Sequence, residues 1–313
     1  MSDANLFAHL VGGARDPARP AIETADGARW SYGDLESATA RFANRLVARG
    51  VKPGDRVAVQ VEKSVANLVL YLATVRAGAV YLPLNTAYTF NELAYFLGDA
   101  EPSLVVCDPS RRDGVAALVK DSGAAVETLG SDGQGSLGET AVDQLASFAT
   151  VPRGEDDLAA ILYTSGTTGR SKGAMLTHVN LVSNAETLVA AWRFTGDDVL
   201  LHALPIYHTH GLFVAVNVVL LARASMIFLP KFDEDTILRL MPRSTAMMGV
   251  PTFYVRLLRH PGLTRAATAG MRLFTSGSAP LLADTHRAWE SRTGHAILER
   301  YGMTETNMST SNP

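Results

Sequence analysis

The sequence predicts an α/β fold made of two parallel-rich β-sheets covered by helices. Strand-like apolar runs alternate with helix-like amphipathic segments along the chain, and that alternation builds parallel sheets with helices packed on them. Some of the runs, such as Leu104–Cys107, are short and wholly apolar, as a buried strand requires. Polar, glycine-containing turns follow one strand after another in the second half, at the strand ends where open parallel sheets place their ligands.

In order along the chain, residues 31–48 predict a capped helix with Leu35, Ala38, Phe42 and Leu46 on one face. Residues 56–61 alternate as a strand. Residues 64–77 predict a helix that Gly78 is placed to end. Leu104–Cys107 is a short strand, and the Gly/Ser-rich stretch 130–138 is the best candidate for a linker or surface excursion. In the second half, residues 199–204, 226–229, 245–250, 273–275 and 296–298 predict strands with helical segments between them. The expected division falls near residues 150–157, giving one α/β subdomain over residues 1–155 and a second over 156–313 that carries the ligand site.

The chain has 313 residues, enough for about two domains. With 47% hydrophobic and 19% charged residues it has the composition of a soluble globular protein. A net charge of −3 gives no electrostatic case for nucleic acid or an anionic membrane as the main partner. Cys107 is the only cysteine, so a disulfide within the chain is impossible and a reducing cytoplasm is the simple expectation. Its apolar neighbours place it in the core rather than at a reactive site. The N-terminus lacks the pattern of a signal peptide, and the most apolar stretch, 212–222, is interrupted by Asn217 and too short to span a bilayer.

The stretch "ILYTSGTTGRSKGAML", residues 161–176, packs Thr164, Ser165, Gly166, Thr167, Thr168 and Gly169 ahead of Lys172. Glycines permit close backbone approach, hydroxyls donate hydrogen bonds, and a lysine adds a point charge. Such a set suits a cradle for phosphate oxygens, although Ser/Thr/Gly clusters also form plain surface loops. An apolar run leads in and a helical pattern with Leu181, Leu188, Val189 and Trp192 follows, so strand, loop, helix is the expected setting. Ser171 and Gly173 flank Lys172 where an ordinary P-loop has Gly and Ser or Thr. Three more strand ends carry comparable turns: Pro205 to Gly211, Ser276 to Pro280, and Tyr301 to Glu305. His208 and His210, with His202 nearby, lack the further ligands that a transition-metal site needs.

These segments carry a family resemblance. "YTSGTTGRSKG", "LPIYHTHG", "SGSAP" and "YGMTE", with "YLATVRAGAVYLPLN" upstream, resemble the motifs of adenylate-forming enzymes. "HALPIYHTHGLF", "GVPTFY" and "ERYGMTETNMST" are most similar to malonyl-CoA synthetases. The resemblance implies an AMP-forming acid–thiol ligase using ATP, Mg²⁺ and coenzyme A, with malonate or a similar small dicarboxylate as substrate. It implies that Thr164, Ser165, Gly166, Thr167, Thr168, Gly169 and Lys172 hold the β- and γ-phosphates. Tyr301 stacks on adenine, with Gly277, Ser278 and Ala279 beside the base. Thr304 touches the α-phosphate, and Glu305 ligates magnesium. His208, Arg256, Ser278, Arg300 and Met303 line the acyl pocket, where Arg256 and Arg300 take the distal carboxylate. In this family the pattern continues beyond the length of this chain, through a ribose-binding aspartate, a hinge and a C-terminal domain carrying a bridging lysine. The chain therefore resembles an N-terminal portion, without the C-terminal catalytic domain and catalytically incomplete alone.

Overall fold

The computed structural model describes residues 3–13, 16–164 and 170–312. It divides into one unit of residues 1–17, 32–182 and 206–208, and another of residues 18–31, 183–205 and 209–313.

The first unit is built on a six-stranded sheet in the order Ala125–Thr128, Leu104–Cys107, Arg56–Gln60, Val80–Pro83, Leu158–Tyr163 and Gly173–Thr177. All neighbours are parallel except the last pair. Val80–Pro83 and Leu104–Cys107 are buried at every position, which explains their unbroken apolar sequence. The helix Val65–Arg76 is capped by the Ser64 hydroxyl, which accepts from Asn67 N–H. Gly78 takes φ 74° just beyond its end. The helix Phe90–Ala100 starts in a full capping box between Thr89 and Glu92 and buries Leu93, Phe96 and Leu97 against Val105 and Leu82. The Gly/Ser-rich stretch 130–138 is a surface excursion that closes into the short helix Ser136–Ala141, with Leu137 buried.

The second unit is built on an eight-stranded sheet in the order Asn307–Ser311, Leu298–Met303, Leu273–Ser276, Ala246–Gly249, Val199–His202, Ser225–Phe228, Pro20–Thr24 and Arg29–Ser31. Its interior is parallel and both edge pairings are antiparallel. Trp289, Tyr254 and Phe274 form the aromatic centre of its core, with ring centroids 4.9–6.5 Å apart.

The observed division differs from the expected cut near residue 155. Leu158–Tyr163 pairs with Val80–Pro83 through Tyr81 and Ala160, so it belongs to the first sheet. Pro20–Thr24, near the N-terminus, pairs with Ser225–Phe228 in the second. A strand's own periodicity reports which face is buried but not which distant strand completes its hydrogen bonds.

Candidate functional site

The phosphate-loop candidate lies wholly in the first unit. Leu158–Tyr163 leaves the sheet into the loop, and the chain returns as Gly173–Thr177, antiparallel to it, with Tyr163 opposite Gly173. Thr164 N–H donates to Lys172 C=O at 2.9 Å and closes the stem. The loop is thus the connection of a β-hairpin. The expected passage from loop directly into helix is corrected: His178–Ala191 begins only after the second strand, so its N-terminal N–H groups do not form the loop. Ser165, Gly166, Thr167, Thr168 and Gly169 lie outside the described residues. Lys172 is exposed at the loop's exit.

Both shoulders of this hairpin rest on the helix Phe90–Ala100. Tyr95 O–H donates to Ser171 C=O at 2.7 Å, and the Arg170 guanidinium lies 5.7 Å from the Tyr95 ring. On the entry side, Tyr163 O–H donates to the Asp99 carboxylate at 2.6 Å and its ring packs on Phe96 at 4.5 Å. Burial and the adjacent Asp99 push the Tyr163 phenol well above its ordinary value, so it stays protonated as the donor. Tyr95 and Asp99 carry no local motif, so their role is invisible in the sequence.

In the second unit, Leu273–Ser276 leads into Gly277, Ser278, Ala279 and Pro280. Ser278 sits at φ 67°, a left-handed conformation that a non-glycine residue adopts at a cost of about 1–3 kcal/mol and that clusters at functional sites. Its hydroxyl meets His210 Nδ1 at 3.2 Å. His210 opens the π-helical segment His210–Val216, and His202 Nε2 lies 2.8 Å from Gly211 O. His210 is the histidine tied to Ser278, whereas His208, the expected pocket residue, is exposed and belongs to the first unit. Two histidines two residues apart look alike in sequence, so the tie of His210 to Ser278 is legible only in the structure.

The strand Leu298–Met303 runs further than the sequence predicts. Tyr301 to Met303 belong to the strand rather than to a turn, and Thr304 to Thr306 turn the chain into Asn307–Ser311. Strand alternation separates the neighbours as expected: Arg300 is 6% exposed and Tyr301 59%. Met303, at 46%, is exposed as Tyr301 is. Glu305 is exposed in the turn, with Thr304 beside it half-buried. An exposed carboxylate of this kind fits a magnesium ion that takes its remaining ligands from water and phosphate oxygens. Among the described residues no group of three or more His, Cys, Asp or Glu assembles into a metal cluster. A cleft of about 470 Å³ opens here, lined by residues 278–280 and 299–302, Thr310 and Asn312.

Arg300 is the unusual charge of this cleft. Its Nη1 reaches Met308 Sδ at 3.4 Å, while Nε and Nη2 are buried with no hydrogen-bond partner among the described residues. Neighbouring Glu299 accepts instead from Leu281 N–H at 3.0 Å. Burial pushes the guanidinium down to about 9, which leaves it charged at neutral pH. Arg256 differs: it forms a two-point pair with Glu234 at 2.5 and 2.6 Å, over the Phe232 ring, and is half-exposed.

Residues 11–313 match the family model described as AMP-binding enzyme. The chain is 33% identical over 326 residues to the malonate–CoA ligase of Arabidopsis thaliana, covering 92% of this chain and 54% of that protein. The crystal structure of apo MatB from Rhodopseudomonas palustris superposes with a TM-score of 0.98 at 68% identity, covering all of this chain and 62% of that one. ATP-bound MatB from the same organism gives 0.98 at 69%, with the same coverage. The chain thus spans about half the length of the curated relatives it matches.

Proposed function

The chain belongs to the AMP-binding enzyme family, and from that premise we propose that it carries the nucleotide and acyl sites of a malonate–CoA ligase. In the first step a malonate carboxylate oxygen attacks the α-phosphorus of ATP, forming malonyl-AMP and expelling pyrophosphate. In the second, the sulfur of coenzyme A attacks the acyl carbon and AMP departs, giving malonyl-CoA. The nucleophiles belong to the substrates, so the protein's part is positioning and charge stabilisation.

The observation that carries the substrate is Arg300. A buried guanidinium without a carboxylate beside it is costly, and an incoming carboxylate in bidentate contact relieves that cost. Malonate offers such a second carboxylate and acetate does not. Ser278 supplies a hydroxyl at the same cleft. Arg256 would have to leave Glu234 before it could help, so it ranks second. Tyr301, exposed beside Gly277, Ser278 and Ala279, offers a ring for the adenine. By the family's pattern Thr164 and Lys172 are assigned to the β- and γ-phosphates, Thr304 to the α-phosphate, and Glu305 to the magnesium ion. His208 and Met303 remain candidates for the acyl wall.

The relatives named above support malonate, and ATP-bound MatB supports the nucleotide. Magnesium, coenzyme A and a cytoplasmic location belong to the proposal. The chain spans 54% of the Arabidopsis ligase and 62% of the MatB chain, so the complete two-step activity is proposed of the whole protein. The test is a panel of short carboxylic acids offered to the whole protein, scoring acyl-AMP and thioester separately. Pyrophosphate release is expected with malonate and, within the panel, to exceed that with acetate or butyrate. Equal use of butyrate, or ATP consumption without any acid, would overturn the reading.

A further inference from the structure

Gly277 has a reason to be glycine that its backbone does not supply. It is not among the residues at positive φ, although Ser278 beside it is, so the left-handed region does not demand glycine there. What leaves no room for a side chain is Arg300. A Cβ on Gly277 would stand 2.5 Å from Arg300 Nη1, 2.7 Å from Cζ and 3.2 Å from Nη2. These distances are inside van der Waals contact, so the methyl of an alanine and the guanidinium cannot share the space. Arg300 is 6% exposed and its Nη1 meets the Met308 thioether, so among the described residues no strong hydrogen bond holds the head in place. The bare Gly277 backbone forms one wall of its seat.

We propose that Gly277 is a specificity-determining position, whose missing side chain seats the Arg300 guanidinium to receive the distal carboxylate of a small dicarboxylate. This rests on the malonate reading above. A planar fork pairs with a carboxylate in two parallel hydrogen bonds, which a sideways displacement breaks. Gly277→Ala therefore acts through Arg300 and, among the acids, on dicarboxylates above monocarboxylates.

The test is a double-mutant cycle on the 313-residue chain. Malonate and butyrate binding are measured by calorimetry with a non-hydrolysable ATP analogue and magnesium present, and folding is checked by circular dichroism. Gly277→Ala is expected to weaken malonate roughly ten- to hundredfold, the scale of loss from small misplacements of a binding group, and to weaken butyrate far less at the same saturating concentration of the analogue. In an Arg300→Met background the same substitution is expected to cost malonate nothing further. If Arg300→Met leaves malonate affinity intact, the malonate reading fails and this inference with it. If Arg300→Met abolishes the preference but Gly277→Ala does not reduce it, the inference alone fails. Equal losses of malonate and butyrate, or a loss that persists in the Arg300→Met background, also overturn it. Should Gly277→Ala not fold, Gly277→Ala with Arg300→Lys, whose slim head leaves the space free, is expected to fold and bind malonate. Failure of both to fold would mean that the methyl meets backbone instead of the guanidinium, which overturns the inference.

Discussion

Replacing Arg300 by methionine should make the unliganded protein more stable while removing its response to malonate. Arg300 is 6% exposed and lacks an anionic partner among the described residues. Burial lowers its guanidinium from the ordinary arginine range to about 9, a drop equivalent to roughly 5 kcal/mol of penalty on the charged form. That figure is a ceiling. Methionine loses some packing and a polar contact to Met308, and hydrophobic replacement of buried ionic groups gains about 1–4 kcal/mol where it gains at all. At about 2–4 °C per kcal/mol, the unliganded variant should melt several degrees higher. The sign follows from linkage: a cation whose folded value is lowered weakens the folded state at every pH below about 9, and the penalty fades as pH rises from there toward the ordinary arginine value. At neutral pH the full difference is present. The assay is thermal unfolding of wild type and Arg300→Met at pH 7.5, with an ATP analogue and magnesium, with and without malonate. In wild type, malonate at about a hundred times its Kd should add roughly 2.7 kcal/mol, whereas the variant should not respond. A variant that melts no higher than wild type, and still rises with malonate, would refute both the buried-charge penalty and the pairing.

Arg256→Ala should cost malonate affinity much less than Arg300→Ala, for which the truncation of a buried charge pair predicts about 2–5 kcal/mol; calorimetry on both variants decides, and the reverse order would show that Arg256 leaves Glu234 for the substrate. Tyr95→Phe removes the hydrogen bond to Ser171 C=O and should weaken Mg-ATP by about 1 kcal/mol with malonate unaffected, measured by titration of each ligand; an effect on malonate alone would remove Tyr95 from the loop's support. His178 is fully buried, accepts Leu6 N–H on Nδ1, and is pushed by burial from 6.5 down to about 4. Its neutral form therefore contributes roughly 3 kcal/mol above pH 6.5, lost as pH falls from 6.5 through about 4; melting curves from pH 7.5 to 4.5 should show the decline, and a His178→Gln variant should flatten it.

The sequence by itself determined the local elements and the types of chemistry present. Its periodicities give the strand Leu104–Cys107 to the residue, and the Ser64 cap and Gly78 stop frame the helix Val65–Arg76. Alternation along Leu298–Met303 suffices to send Arg300 and Tyr301 to opposite faces. These features depend on hydrogen bonds and side-chain directions within a few residues, so neighbouring residues specify them. The tertiary structure decided which strands share a sheet, and so moved Leu158–Tyr163 and Pro20–Thr24 across the expected division. It decided that the Thr/Ser/Gly loop joins two antiparallel strands, that His210 rather than His208 meets Ser278, and that Tyr95 supports the loop. Above all it separated two arginines that are alike in sequence. Arg256 finds Glu234, 22 residues away, at a half-exposed surface. Arg300 is buried against Gly277 with no acid among the described residues to meet it. Whether a charge is paired or left waiting depends on which distant groups the fold brings to it and how much water it removes, and neither quantity is written in the residues beside it.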